Sequence, residues 1–354
     1  MSAGPRIVFV TRKWPPATGG METYCYELTS ALQRRLPIEV IALAGSPDGM
    51  PPRALALIGF GLKVFAMLLL GRRDYEVLHL ADMAIWPLGL AARRGARVVI
   101  SAHGTDVSFP RRGGLLGRAY GAYLRLGSRL LARARIVANS HATARELADT
   151  GWKTHTVIPL ATTISPPAEI SRHARTILFV GRLIPLKGCR WFVENVLPLL
   201  DTDIRLQVAG TCWDAGETSV LDHPRVDFIG RLDQANLASH YASALCVVVP
   251  NIAVPEGTFE GFGLVAPEAA ACGGVVLAAR SGGLTDAVID GETGYLLPSG
   301  DAPAWAVKIA EITRWSARER GAFSAKARER AQAHFNWHRV AAATIASYQA
   351  GAAA

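Results

Sequence analysis

Short apolar runs recur along this chain, each followed by a segment of helix length. Runs at residues 6–10, 38–42, 77–80, 97–101, 136–139 and 156–158 form a first series. Uninterrupted apolar runs separated by helical segments predict parallel strands buried on both faces, the pattern of a doubly wound sheet. After a stretch rich in proline and threonine, residues 159–174, the pattern begins again with runs at 176–180, 205–209, 226–229, 246–249 and 275–278. The simplest organisation is an α/β chain of two Rossmann-like, doubly wound parallel-sheet domains joined near residues 160–175, with a helical tail over residues 303–348. Expected limits are 1–165 for the first domain, 166–335 for the second and 336–354 for a last helix that packs back on the first. Ligands of such sheets bind beyond the carboxyl ends of strands, so the loops that follow strands are where chemistry is sought.

The 354 residues exceed one ordinary core, and 50% apolar with 19% charged residues excludes a disordered chain or a small disulfide scaffold. Five cysteines, with no Cys-x-x-Cys pair, fit reduced thiols better than a disulfide frame or zinc site. The first residues lack a signal-peptide pattern, and a cytoplasmic location is expected. The net charge of +9 is lopsided: residues 1–175 hold 23 Lys and Arg against 11 Asp and Glu, residues 176–354 hold 15 against 18. A partner of opposite charge is therefore expected on the first half. Residues 54–70 carry a single charge, Lys63, and the nearby Arg72 and Arg73 favour a buried or interfacial helix over a membrane span.

Four loops carry candidate chemistry. Gly19 and Gly20 follow the first strand and open a helix, where amides and the helix dipole favour an anion, although a plain turn explains two glycines equally well. His103 and Asp106 end the strand at 97–101; they suit a sugar hydroxyl or a proton transfer, against the plainer reading of a cap and a backbone-bonded imidazole. Gly181, Arg182, Lys187 and Gly188 place two cations on a glycine-bounded loop that suits a diphosphate, without the order of a P-loop. The run Glu260, Gly261, Phe262, Gly263, Leu264, Val265, Ala266, Pro267, Glu268 offers amides of Gly263, Leu264 and Val265 to phosphate oxygens. Its two carboxylates suit hydroxyls at opposite ends of one ligand.

Taken in order, Gly19-Gly20, His103-Gly104-Thr105-Asp106, Asn139-Ser140, Gly181-Arg182 with Lys187-Gly188, and the Glu-x7-Glu pair at 260 and 268 resemble the retaining GT-B glycosyltransferases of family four. The resemblance covers nearly the whole chain. It implies a nucleoside-diphosphate sugar donor held by the second domain, a glycan or glycolipid acceptor, and no cofactor. It further implies Arg182 and Lys187 on the diphosphate, Glu260 on the donor sugar, Glu268 on the ribose, and the Gly20 amide on phosphate. His103 and Asp106 would face the sugar and acceptor, and Asn251 and the stretch 229–231, with Arg231, are candidates for the base region. Pro159-Leu160-Ala161 and Gly273-Gly274-Val275 depart from the family pattern at points that touch the linker and local packing.

Two fixed cations and a helix N-terminus stabilise charge growing on a leaving diphosphate without a metal, so the lone Asp-x-Asp, Asp201 and Asp203, is not expected to be a metal site. Retention implies front-face attack, with double displacement through Glu260 or Asp106 as the alternative. No acidic residue lies between Asp106 and Glu146, a stretch with eight arginines. Arg118, Arg125, Arg129 and Arg133 are expected on one helix face, with Leu116, Tyr120, Leu124, Leu130 and Leu131 elsewhere, a surface for anionic lipid. A sugar-nucleotide epimerase is the nearest competing enzyme. A nucleic-acid-binding protein lacks a recognisable module, and a nicotinamide oxidoreductase lacks GxGxxG after the first strand.

Overall fold

The computed structural model describes residues 5–17, 19–46, 52–71, 74–168 and 173–349. Thr18, Arg72, Arg73 and residues 169–172 of the expected linker lie outside them. The chain divides into two compact units, Met1–Leu160 with Trp337–Ala354, and Ala161–Asn336.

The first unit holds strands β1 (Ile7–Trp14), β2 (Ile38–Ala44), β3 (Val77–Leu80), β4 (Arg97–Ala102), β5 (Arg135–Ala138) and β6 (Thr154–Val157). They form one parallel sheet in the order β2-β1-β3-β4-β5-β6. Its principal helices before the second unit are α1 (Gly20–Gln33), α2 (Ala54–Leu70), α3 (Gly114–Leu130) and α4 (His141–Ala148). From β2 onward every crossover runs the same way along the sheet, whereas β1 to β2 runs the other way. Right-handed crossovers therefore put α2, the 3₁₀ segment Met83–Ala91, α3 and α4 on one face and α1 on the other.

The second unit contains β7 (His173–Leu183), β8 (Arg205–Cys212), β9 (Val226–Gly230), β10 (Ala244–Val249), β11 (Val276–Ala279) and β12 (Gly294–Leu297), ordered β12-β11-β10-β7-β8-β9 and also all parallel. Strand β12 is absent from the sequence reading because its four residues sit between glycine-rich turns and offer too short a run. Its principal helices are α5 (Gln234–Ser243), α6 (Val265–Ala271), α7 (Ala302–Thr313) and α8 (Ala317–His334). Trp305 of α7 is fully buried and donates its indole N–H to the Pro298 carbonyl at 2.9 Å.

Helix α9 (Trp337–Gln349) returns to the first unit and packs on α1. A buried chain of hydrogen bonds fastens it: Tyr348 Oη lies 2.6 Å from His79 Nδ1, His79 Nε2 2.8 Å from Ser101 Oγ, and Ser101 Oγ 2.7 Å from Tyr24 Oη. Burial, with His103 adding to it, pushes His79 down to about 3, so the imidazole is neutral and supplies a single N–H. An orphaned ring nitrogen here costs about 1–3 kcal/mol, which ties the last helix to the first sheet.

Candidate active site

At the carboxyl end of the second sheet, β7 runs three residues further than its sequence pattern suggests. Gly181, Arg182 and Leu183 pair with Gly210, Thr211 and Cys212 of β8, so Arg182 stands on a strand and not on a loose loop. Its guanidinium lies over the Trp213 ring, 5.0 Å from the centroid, and Trp213 is 63% exposed. Trp213 thus joins the candidate site through Arg182, a contact absent from the sequence reading. Reading β8 as ending at 209 hid the fact that this indole immediately follows a strand's carboxyl end.

The 3₁₀ turn Pro185–Lys187 then delivers Lys187, whose ammonium pairs with Glu260 Oε2. The two side chains keep 15% and 17% exposure, enough for a ligand to compete with the pair. Gly188 closes the turn at φ 71, where an added Cβ would lie 2.1 Å from the Pro250 carbonyl oxygen. Burial alone would push Glu260 up, but Lys187, Asn251 and Arg182 outweigh it and hold the carboxyl below its ordinary value.

Asn251 is buried and reaches Glu260 Oε2 through Nδ2 at 3.4 Å, while its Oδ1 has no hydrogen-bond partner among the described residues. It follows β10, as its sequence position predicts, and Arg231 follows β9 three strands away, about 14 Å across the sheet. Arg231 is exposed.

The loop after Glu260 is set by close backbone packing. Gly283 donates to the Glu260 carbonyl at 2.7 Å, and a Cβ on Gly283 would meet the Gly261 oxygen at 2.0 Å. This Ser281-Gly282-Gly283 turn, also missed from sequence, positions the carboxylate. Phe262 needs correction as a binding side chain, because its ring is buried edge-on against Phe335. The amides of Gly263, Leu264 and Val265, at the start of α6, donate to no chain group among the described residues. Their being free is what an anion at this helix start requires.

Glu268, in the first turn of α6, accepts from Tyr241 Oη at 3.0 Å, and burial pushes it up to about 7 against the opposing effect of that bond. A carboxylate that accepts ribose hydroxyls must first lose its proton. Nucleotide affinity is thus expected to rise about tenfold from pH 6 to pH 8 and to be flat over that range in Glu268→Gln, as read by calorimetry. A wild-type affinity indifferent to pH would remove Glu268 from the ligand.

In the first unit, His103 and Asp106 lie at the carboxyl end of β4, both buried. Asp106 accepts from the amides of His103 at 2.8 Å and Met83 at 3.1 Å, so both oxygens serve the main chain. Burial, reinforced by Asp82, raises its carboxyl despite His103 and those amides. As it stands Asp106 holds the turn that carries His103. His103 Nε2 lies 2.8 Å from the Ala81 carbonyl and must donate to it, leaving Nδ1 as the acceptor when the ring is neutral. Its ring meets Tyr24 edge-on at 4.4 Å.

Gly19 caps α1, but Glu22 occupies the same corner. A Cβ on Gly19 would come within 2.6 Å of Glu22 Oε2, and Lys13 pairs with Glu22 at 3.4 Å. An anion at the Gly20 amide must therefore displace a resident carboxylate. Arg12 and Asp82, paired at 3.0 Å at the ends of β1 and β3, complete this polar cluster and were not expected, since β1 was read as ending at residue 10. Asp201 and Asp203 both bind Arg175, at 3.1 Å each.

Residues 18–162 match the family model described as Glycosyltransferase Family 4, and residues 174–314 match Glycosyl transferases group 1. The chain belongs to the GT-B glycosyltransferases. The D-inositol 3-phosphate glycosyltransferase of Mycobacterium tuberculosis (strain ATCC 25618 / H37Rv) is 35% identical to this glycosyltransferase over 185 residues. That match takes in 49% of this chain and 37% of the relative, so the chain spans little more than a third of the length of the curated relatives it matches. The fold is shared with sucrose-phosphate synthase from Thermosynechococcus elongatus, at TM-score 0.77 and 23% identity over 98% of both chains. It is also shared with Anabaena HepE in complex with UDP and glucose, at TM-score 0.71 and 19% identity over 98% of this chain and 100% of that one. Neither family description is that of an epimerase.

Proposed function

We propose that this glycosyltransferase moves a hexosyl group, with retention, from a nucleoside-diphosphate sugar to a hydroxyl of a glycan or glycolipid acceptor, without a metal. The observation that carries the reading is the cluster of Arg182, Lys187, Asn251 and Glu260 beside the free amides that open α6. Two cations and a helix start suit a diphosphate, and stabilise the charge that grows on it as the glycosidic bond breaks. Glu260, released from Lys187 when phosphate takes the cation, then has both oxygens for sugar hydroxyls. Glu268 takes the ribose, and Trp213 offers a flat apolar face on the same edge of the sheet.

Front-face attack is favoured over double displacement by the state of the two candidate nucleophiles. With donor bound, the Glu260 oxygens are taken by sugar hydroxyls, and both oxygens of Asp106 are held by amides. One fold neighbour is in complex with UDP and glucose and another is bound to ADP and acarbose, which supports a nucleotide donor. A thermal-shift panel of UDP, GDP, ADP and their sugars tests the donor site. One nucleotide is expected to raise Tm in the wild type by several degrees and to do so far less in Arg182→Ala. If none stabilises the wild type, or if the variant responds equally, the assignment is wrong.

A further inference from the structure

One face of the first unit is built the wrong way round for water. Helix α3 turns Gly117, Gly121 and Gly127 inward, where Cβ atoms would crowd Pro110, Trp86 and Trp152, and leaves Leu115, Leu126 and Leu130 49–85% exposed. This corrects the expected sorting of that helix. Tyr120, Leu124 and Leu131 do turn in, but Leu116 and Leu130 share the open side with Arg118, Arg125 and Arg129, and Arg133 lies beyond the helix end. Helix α2, on the same face of the sheet, buries Val64 and Leu68 yet presents a second apolar stripe, Leu55, Ile58, Leu62 and Leu69, 60–83% exposed. Ten of the fifteen large apolar side chains exposed among the described residues lie on α2, α3 and the segment Met83–Ala91 between them.

A surface helix that is apolar on both sides requires a second apolar medium. Charge identifies which. Neither 52–71 nor 107–145 contains an acidic residue, and Lys63, Arg118, Arg125 and Arg129 form no ion pair among the described residues. On α3 the arginines border the leucine stripe, the arrangement of a helix lying at the level of lipid headgroups. No helix of the described residues is long and apolar enough to cross a membrane. Between α2 and the edge strand β2 an open groove of about 580 Å³ is lined by Val40, Ala42, Gly59, Phe60 and Met67, with Glu39 and Lys63 as its charged members. Gly59 has nothing within 4 Å of its Cβ position, so the helix is left unfilled along this wall.

We propose that the first unit docks on an anionic lipid leaflet through α2 and α3, with one hydrocarbon chain of a lipid entering the α2–β2 groove. Only the further step, that this lipid layer presents the acceptor, rests on the hexosyltransferase reading. Docking is tested on the full chain without donor, by co-sedimentation with phosphatidylcholine vesicles with and without phosphatidylglycerol. The wild type is expected to pellet with the anionic vesicles and to be released by salt. Each well-placed cation contributes about a fivefold gain in partitioning, so Arg118→Gln, Arg125→Gln and Arg129→Gln together lower it on the order of a hundredfold. Leu62→Glu with Leu69→Glu abolishes pelleting while keeping the nucleotide-induced rise in Tm, which shows the protein folded and the donor site intact. Gly59→Phe fills the groove and removes the fluorescence gain of cis-parinaric acid seen with wild type. No pelleting of wild type, pelleting of the double glutamate variant, or a wild-type dimer that this variant splits would each overturn the proposal. Loss of nucleotide response in the wild type would instead strike the donor-site reading alone.

Discussion

Lys187→Ala is expected to lower kcat about a hundred- to a thousandfold, measured as nucleoside diphosphate released in the presence of acceptor. The ammonium sits on a short turn between β7 and the following helical segment, close to the Asn251 and Glu260 side chains, and with Arg182 it is a cation that acts on Glu260. Its loss removes a charge placed where the leaving group becomes more negative. It also strands Glu260, which burial then pushes back up. These two consequences separate in the double variant Lys187→Met with Glu260→Gln. A merely structural ion pair is repaired there, since both charges leave together, whereas a catalytic cation is not. Turnover by Lys187→Ala within a few-fold of wild type would end the leaving-group role.

The second large effect falls on the backbone. Gly188→Ala is expected to destabilise the fold by about 3 kcal/mol, read by denaturant unfolding, and to depress nucleotide binding with it. At φ 71 an alanine is strained, and its Cβ would sit 2.1 Å from the Pro250 oxygen, a carbonyl that cannot retreat without moving Asn251. Gly95→Ala is a fitting control: its φ is 87, but nothing lies within 4 Å of the added carbon, so it carries strain without collision. Equal costs for the two would mean that the close approach at Pro250 is unimportant.

The alternation of apolar runs was enough to read eleven of the strands, because buried parallel strands are apolar on both faces and need no neighbour to be recognised. What failed were their ends. Strands β1, β7 and β8 continue past their apolar cores into polar residues that leave no hydrophobic trace: Arg182 and Thr211 pair through backbone alone, and Arg12 and Lys13 lie in a bulge between the pairs Thr11–Ala42 and Trp14–Ala44. Those extensions carry the polar groups of the candidate site, which is why Arg12 and Trp213 leave no mark in the apolar pattern. The motif residues of the second unit were legible as types, but their partners were not. That Lys187 meets Glu260, that Tyr241 meets Glu268, and that Phe262 points into the core depend on contacts 27 to 73 positions apart or on packing. Helix α3 was misread for a different reason. Helical periodicity sorts residues into faces but does not say which face is inside, and three inward glycines reverse the usual answer.

The return of α9 to the first unit has a consequence for synthesis. The second unit is continuous in sequence, whereas the first is interrupted by it and is closed only by residues 337–349. On a ribosome adding about 5–20 residues per second, roughly 10–35 s separate the end of the first sheet from the arrival of its final helix. Through that interval His79, Ser101 and Tyr24 lack the cover of Tyr348, so the half of the protein made first is the half completed last.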